Sequence, residues 1–306
     1  MVEDDTAGDP MNDKKWVRRT VRQIRKALKK QGYNLSRSTV WRLLKQWGYA
    51  LRSNRKRFTG ADQPERDRQL RYIGRVKRLF MATGYPVISV DTKKKELIGN
   101  FKNNGRVWRQ QVDEVNVHDF RQEAVAKAVP YGIYDLVHNQ GYVYVGTSAD
   151  TAEFAVEAIE RWWTDPQRPR FAREDKVLIL CDAGGSNGYR LRLWKHQLQT
   201  RLADALGVEV MVCHYPTGAS KWNPIEHRLF SYISLNWAGQ PLRSLQTMLN
   251  YIQGTTTETG LTVKAFLVEG VFEKGRRIST KEMARLNLLR RRVCPQWNYV
   301  IRPRPA

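Results

Sequence analysis

Val177-Leu-Ile-Leu-Cys-Asp-Ala-Gly-Gly-Ser-Asn-Gly188 sets five apolar residues in a row, ends them on an aspartate and follows with a glycine-rich turn. A continuous apolar run of this length, closed by turn residues, predicts a strand buried on both faces, as in a parallel sheet covered by helices. A second run has the same form, Pro86-Val-Ile-Ser-Val90, and it too ends on an acid, Asp91. A third lone carboxylate, Glu226, lies in Asn223-Pro-Ile-Glu-His-Arg-Leu-Phe230, where Pro224 at a first-turn position starts a helix.

Around these runs the pattern predicts strands at 87–91, 131–135, 142–146, 177–181 and 208–213, and helices at 151–163, 189–206 and 224–236. Asp150 or Thr151 is placed to cap the first of those helices. Three strands in succession followed by alternating helix and strand describe an α/β fold, a ribonuclease H-like mixed sheet with flanking helices. In that order of elements the first and fourth strands are neighbours, so Asp91 and Asp182 are expected to converge, with Glu226 beside them.

The chain has 306 residues, 41% of them hydrophobic, and ten Trp, enough for one substantial core and a smaller module. A formal charge of +23 points to a polyanionic partner. Nucleic acid fits better than membrane, because no long apolar segment is present. Met1-Val-Glu-Asp-Asp5 lacks the layout of a signal peptide, so a cytoplasmic, nucleoid-associated protein is expected. Cys181, Cys213 and Cys294 have no zinc-type spacing and read as reduced core or bystander thiols.

The basic charge is concentrated: residues 14 to 57 hold sixteen Lys or Arg and no acid, whereas the five acids before them fall between Glu3 and Asp13. Val21, Ile24 and Leu28 recur at helical spacing, Gly32 stops that helix, and a second, capped by Ser36 or Ser38, runs through Val40, Leu43, Leu44 and Trp47 to Gly48. Two short helices joined by a tight turn predict a helix-turn-helix presenting Arg37, Arg42 and Lys45 to DNA, with Arg52, Arg55, Lys56 and Arg57 tracking phosphates beyond it. A solvated helical hairpin is the plainer alternative. The expected organisation is an acidic disordered N-terminus at 1–13, the helix-turn-helix module at 14–60, and a linking helix at 61–85 that starts at Pro64, packs Leu70, Ile73 and Phe80 and ends at Gly84. A catalytic domain at 86–270 and a basic C-terminal segment at 271–306 follow.

Lone carboxylates at strand ends in so basic a chain suit a divalent metal held against a phosphodiester. Hard oxygen ligands fix a metal pair about 3.5 to 4 Å apart, one ion activating the attacking oxygen and the other stabilising the leaving one. Among rival acids, Asp135 reads as hairpin-turn chemistry, and Asp119 and Asp150 as loop and cap. No histidine pair has metal-ligand spacing; His214 and His227 read as structural, with a contact to phosphate or a ligand as the alternative. Lys93, Lys94 and Lys95, directly after Asp91, are expected to hold the DNA strand. Trp222 is either a packing staple or a platform for an exposed base.

Ser89-Val-Asp-Thr-Lys-Lys-Lys-Glu-Leu-Ile-Gly99 with Phe101-Lys-Asn103, Asp182-Ala-Gly-Gly-Ser-Asn-Gly188, and Ser220-Lys-Trp-Asn-Pro-Ile-Glu-His-Arg-Leu-Phe-Ser231 resemble the Rhodopirellula-type DDE transposases of bacterial insertion sequences. Asn223-Pro-Ile-Glu226 also resembles the wider mariner-like superfamily. The resemblance covers nearly the whole chain. It implies that Asp91, Asp182 and Glu226 form an acidic triad binding Mg2+, with Mn2+ able to substitute. It further implies a homo-oligomer on double-stranded DNA that cleaves inverted-repeat ends and joins the freed 3'-hydroxyl to target DNA.

In relatives the segment resembling Thr6-Ala-Gly-Asp-Pro-Met11 lies inside the chain, after a further DNA-binding region, which implies an N-terminally truncated copy or a misassigned start. The spacing of 44 residues from Asp182 to Glu226 exceeds the compact arrangement of mariner-like relatives, which implies a family-specific intervening helix and loop. Two rival functions stay open at this point: a ribonuclease H-like DNA nuclease without strand transfer, and an inert DNA-binding remnant.

Overall fold

A computed structural model describes residues 20–50, 65–107, 110–111, 113–116 and 122–305, and the backbone alone at 6–8, 15–17 and 121. The chain divides into two units, Met1–Phe58 and Thr59–Ala306. Arg52, Arg55, Lys56, Arg57, Pro64 and Asp119, which carry sequence expectations, lie outside the described residues.

In the first unit, strands β1 (Thr6–Gly8) and β2 (Lys15–Val17) pair antiparallel, so part of the stretch expected to be disordered is in a strand. Helix α1 (Val21–Lys30) starts at a capping box, Thr20 accepting from the Gln23 N–H and Gln23 reaching back to the Thr20 N–H. It ends at Gly32, whose φ of +90° is open to glycine and lets Tyr33 N–H reach the Leu28 carbonyl at 2.9 Å. Helix α2 (Arg37–Gln46) is capped by Ser36. Ile24 and Val40 are the buried residues of this helix pair. Trp47, expected on the apolar face, sits one residue past the end of α2 and is 65% exposed.

The second unit is built on a nine-stranded mixed sheet. In chain order it comprises helix α3 (Arg66–Ala82), strands β3 (Val87–Thr92), β4 (Glu96–Ile98), β5 (Ala126–Asp135) and β6 (Gln140–Gly146), helix α4 (Ala152–Thr164), strand β7 (Lys176–Cys181), helix α5 (Arg192–Gln197) and strand β8 (Glu209–His214). Helix α6 (Ser231–Asn236), helix α7 (Leu245–Gln253), strand β9 (Thr262–Val268), helix α8 (Thr280–Ala284) and strands β10 (Leu288–Arg290) and β11 (Asn298–Ile301) complete it. The strand order is β10-β11-β8-β7-β3-β5-β6-β9, with β4 extending the pairing of β5. β3 and β7 are parallel, as are β7 and β8, whereas β5 runs antiparallel to both β3 and β6. This is the ribonuclease H-like order expected from the sequence. Among the described residues no helix is long and apolar enough to cross a membrane.

Alternation along the strands divides the core between the two faces. Ile88, Val90, Ile179, Cys181 and Val212 pack under α4 and α5. Val87, Leu178, Leu180 and Met211 face the other way, against Tyr72, Ile73, Val76 and Phe80 of α3. Helix α3, expected as a linking helix, thus packs into the core of this unit. Its buried Gln69 exchanges amide hydrogen bonds with Asn298 of β11 and donates to the His214 carbonyl at 2.9 Å. The segment set apart at 271–306 likewise contributes to the sheet, because β11 pairs with β8 along Val210–Cys213.

Candidate active site

Strand alternation decides where the acids point. Val87, Ser89 and Asp91 share one face of β3, and Leu178, Leu180 and Asp182 share the same face at β7. The parallel register pairs Ser89 with Leu180 and Val90 with Cys181, so one further step sets Asp91 beside Asp182. Both line a cleft of about 730 Å³ together with Ala183, Gly184, Gly185, Gly188, Tyr189 and Arg190. Its floor is the glycine-rich turn, in which Gly185 has a φ of +74°. That conformation strains any residue with a Cβ.

Glu226 arrives from a different element. Pro224 opens the helical segment, which widens into a π turn over Glu226–Phe230 before continuing as α6. This segment lies hard against the sheet because β5 and β6 carry glycines beneath it. A Cβ at Gly132 would come within 2.5 Å of the Phe230 ring, and one at Gly141 within 2.4 Å of Leu229. Glu226 flanks the cleft but does not line it. Among the described residues no three acidic, His or Cys side chains are gathered closely enough to grip an ion as they stand.

Their electrostatics nevertheless bind the three acids into one group. Burial, then the charge of Asp182, then those of Glu226 and Asp150, push the Asp91 carboxyl up to about 8 against the opposing hydrogen bond from Thr92 N–H. Asp182 is raised by burial, offset by a hydrogen bond from Asn223. Glu226 is raised by burial and then by Asp182, with Lys93 and His227 acting the other way. A set of hard oxygen donors that penalise one another's charge, with no ion pair of their own among the described residues, fits a divalent cation.

Several groups around the acids take part in contacts that the sequence did not specify. Asn223 is fully buried, donates from Nδ2 to Asp182 Oδ1 at 2.9 Å, and accepts at Oδ1 from the Ser89 hydroxyl. Behind Asp182, Trp194 Nε1 donates to the Tyr299 hydroxyl at 2.9 Å, and that hydroxyl lies 3.0 Å from His214 Nε2. An indole can only donate, so the Tyr299 proton is left for His214 Nε2. Nδ1 is then the protonated nitrogen and donates to the Asp182 carbonyl at 3.0 Å. Burial lowers the His214 pKa to about 4 and keeps the ring neutral. His214 thus braces the Asp182 backbone from inside the protein, and its burial removes any contact with phosphate.

Other expectations are corrected here. Lys93, expected to face DNA with Lys94 and Lys95, is buried: its Nζ lies 3.5 Å from Glu96 and 4.7 Å from the Trp237 ring centroid. Lys94 is exposed, and Lys95 is half-buried 3.9 Å from Asp150. Asp150 is no helix cap, since Thr151 accepts from Phe154 N–H in that role; Asp150 accepts instead from the Thr92 hydroxyl at 3.0 Å. Trp222 is 51% exposed with Lys221 over its ring, which rules out a packing staple. Asp135 does hold a turn, accepting from the N–H groups of Val137 and His138. Arg37, Arg42 and Lys45 are exposed on α2, with Lys45 4.7 Å from the Trp41 ring centroid.

A family model described as Rhodopirellula transposase DDE domain matches residues 1–303. The chain belongs to this family of DDE transposases, which are polynucleotidyl transferases, and membership implies use of a divalent metal. No curated protein matches the sequence. Among solved structures, the Mos1 transposase paired-end complex with left transposon end is 13% identical, covering 80% of this chain and 73% of that one, with a TM-score of 0.42. The Mos1 strand transfer complex is 18% identical over 80% and 72% of the two chains, with a TM-score of 0.45. The Mos1 mariner paired end complex with Mn is 14% identical over 80% and 73%, with a TM-score of 0.43.

Proposed function

We propose that this transposase cuts DNA at the ends of an insertion sequence and joins the freed 3'-hydroxyl to target DNA, with Asp91, Asp182 and Glu226 as the acids that hold the metal. The observation that carries this reading is the parallel register of β3 and β7, which brings Asp91 and Asp182 to one cleft beside the helix that bears Glu226. When bound, divalent metal would activate the attacking oxygen and neutralise charge on the phosphate and leaving oxygen. Asp91 and Asp182 would supply the central pair of ligands, with Glu226 completing the set from the flank. The glycine turn after Asp182 leaves room for a phosphate backbone to approach the pair.

In this reading the exposed Arg37, Arg42 and Lys45 of α2 contact duplex DNA as part of a helix-turn-helix module spanning 14–60, together with Arg55, Lys56 and Arg57 of the same module. Lys94 and Lys95 contribute at the mouth of the site, and the protein acts as a homo-oligomer on double-stranded DNA. The test is incubation with a supercoiled plasmid carrying the element's inverted repeats, in Mg2+ or Mn2+ and in chelator. Metal-dependent cuts at the repeat ends, together with joining of a labelled end to a second plasmid, are expected. Cutting without joining would mean a nuclease, and neither would mean a DNA-binding remnant.

A further inference from the structure

Ile225, Ser89 and Asn223 form a continuous hydrogen-bond circuit that ends on Asp182. Ile225 N–H donates to Ser89 Oγ at 3.3 Å, the Ser89 hydroxyl donates to Asn223 Oδ1, and Asn223 Nδ2 donates to Asp182 Oδ1 at 2.9 Å. Ser89 and Asn223 are both fully buried, so neither has water as an alternative partner. Each direction in the circuit is determined. Asn223 turns its NH2 toward Asp182, which leaves its Oδ1 to accept the single Ser89 proton, while the Ser89 oxygen accepts from the Ile225 N–H. A carboxylate accepts only, and a reversed amide would set two acceptors against each other.

The circuit joins the three elements that carry the acids. Ser89 lies two residues before Asp91 on β3, Asn223 lies three residues before Glu226, and Asp182 closes β7. We propose that Asn223 is a positioning residue: it holds Asp182 by Oδ1 alone, leaving Oδ2 for the metal, and through Ser89 locks the Glu226-bearing segment to the strand of Asp91. A side-chain amide suits this position because it supplies a neutral donor on one end and an acceptor on the other. An aspartate there would repel Asp182, and an apolar residue would leave the buried Ser89 hydroxyl proton without an acceptor and Asp182 Oδ1 without this donor.

The proposal rests on the reading of Asp182 as a metal ligand, so the experiment measures both. The full chain is titrated with Mn2+, following thermal stabilisation without DNA and single-turnover cleavage with end DNA, for the parent, Asp182→Ala, Asn223→Ala, Asn223→Asp and Ser89→Ala. Asn223→Ala should raise the half-saturating Mn2+ concentration, or lower the saturated cleavage rate, by about 10–100-fold, with DNA affinity unchanged. Ser89→Ala, which frees the amide to turn, should shift the same quantities in the same direction. Asn223→Asp should bring the largest loss of melting temperature in chelator and recover part of it in Mn2+.

If Asn223→Ala does not fold, the Ser89→Ala titration decides the matter. A parental Mn2+ midpoint and rate in the folded Asn223 or Ser89 variants, while Asp182→Ala loses its Mn2+ response, overturns the proposal and leaves the metal site standing. A parental Mn2+ response in Asp182→Ala overturns the metal site and the proposal with it.

Discussion

Gly132 of β5 stands directly opposite Asp91 of β3, and the space its absent side chain leaves is filled by Phe230, four residues beyond Glu226. One glycine therefore sets how closely the segment bearing the third acid approaches the strand bearing the first. Gly132→Ala places a Cβ 2.5 Å from the Phe230 ring and 2.9 Å from Ile225 Cδ1. Overpacking of this kind costs about 1–3 kcal/mol. The prediction is a lower denaturation midpoint and a larger proportional loss of cleavage, both partly restored by Phe230→Leu. Chemical denaturation and single-turnover cleavage check it, and parental values in Gly132→Ala would show that this contact does not place Glu226.

Asp91 makes the metal-free protein sensitive to pH in a defined direction. Its carboxyl is raised in the fold from an ordinary 3.8 to about 8. Below the lower value both states hold the proton and nothing is lost. Between the two, the folded state keeps a proton that the unfolded state has released, so stability falls as pH rises, and the loss is complete above about 8. Asp91→Asn should flatten this dependence and at pH 8 stabilise the protein in chelator by on the order of 1 kcal/mol, roughly 2–4 °C in Tm. Mg2+ should raise the Tm of the parent more than that of the variant, since a ligand bound only by the folded state stabilises it. Melts across pH 5 to 9, with and without Mg2+, give the answer.

The relay behind Asp182 gives a third expectation. Tyr299→Phe removes the hydroxyl that accepts from Trp194 Nε1 and meets His214 Nε2, stranding two buried polar groups. Leaving such groups unpaired costs about 1–3 kcal/mol. Urea denaturation of Tyr299→Phe should show that loss, and a neutral result would mean that water replaces the hydroxyl.

The helices of the first unit predict a salt effect. Each phosphate contact contributes about 0.9 to the slope of log K against log salt on duplex DNA. Arg42→Ala should lower the slope by about one such contact, and the combined Arg37→Ala, Arg42→Ala, Lys45→Ala variant by up to three. Fluorescence anisotropy across a salt series measures this, and an unchanged slope would make α1 and α2 a structural hairpin.

Much of this architecture was legible because β3 and β7 are short, largely apolar runs closed by turn residues, too short for a buried helix. The ends of those runs marked Asp91 and Asp182, and Pro224 marked the helix start ahead of Glu226. What stayed hidden depends on contacts between distant parts of the chain. Strand β11 is four residues long within an arginine-rich tail, and β9 joins β6 only through a parallel crossover. Lys93 read as solvated because its neighbours are lysines, yet strand alternation turns it inward onto Trp237. The motifs that hold Asn223 and Ser89 give neither a role, because their partners lie more than forty residues away on other elements.

The central claim, that Asp91, Asp182 and Glu226 together run metal-dependent cutting and joining of DNA, is tested most directly by strand transfer with single variants. A labelled duplex ending in the element's inverted repeat is incubated with a target plasmid and Mg2+ or Mn2+, using the parent and Asp91→Ala, Asp182→Ala and Glu226→Ala. The parent should join the 3' end to the plasmid, and each variant should lose cutting and joining while binding the duplex with near-parental affinity, because removing a ligand leaves the basic contacts in place. Joined product from Asp182→Ala at the parental rate would contradict the account.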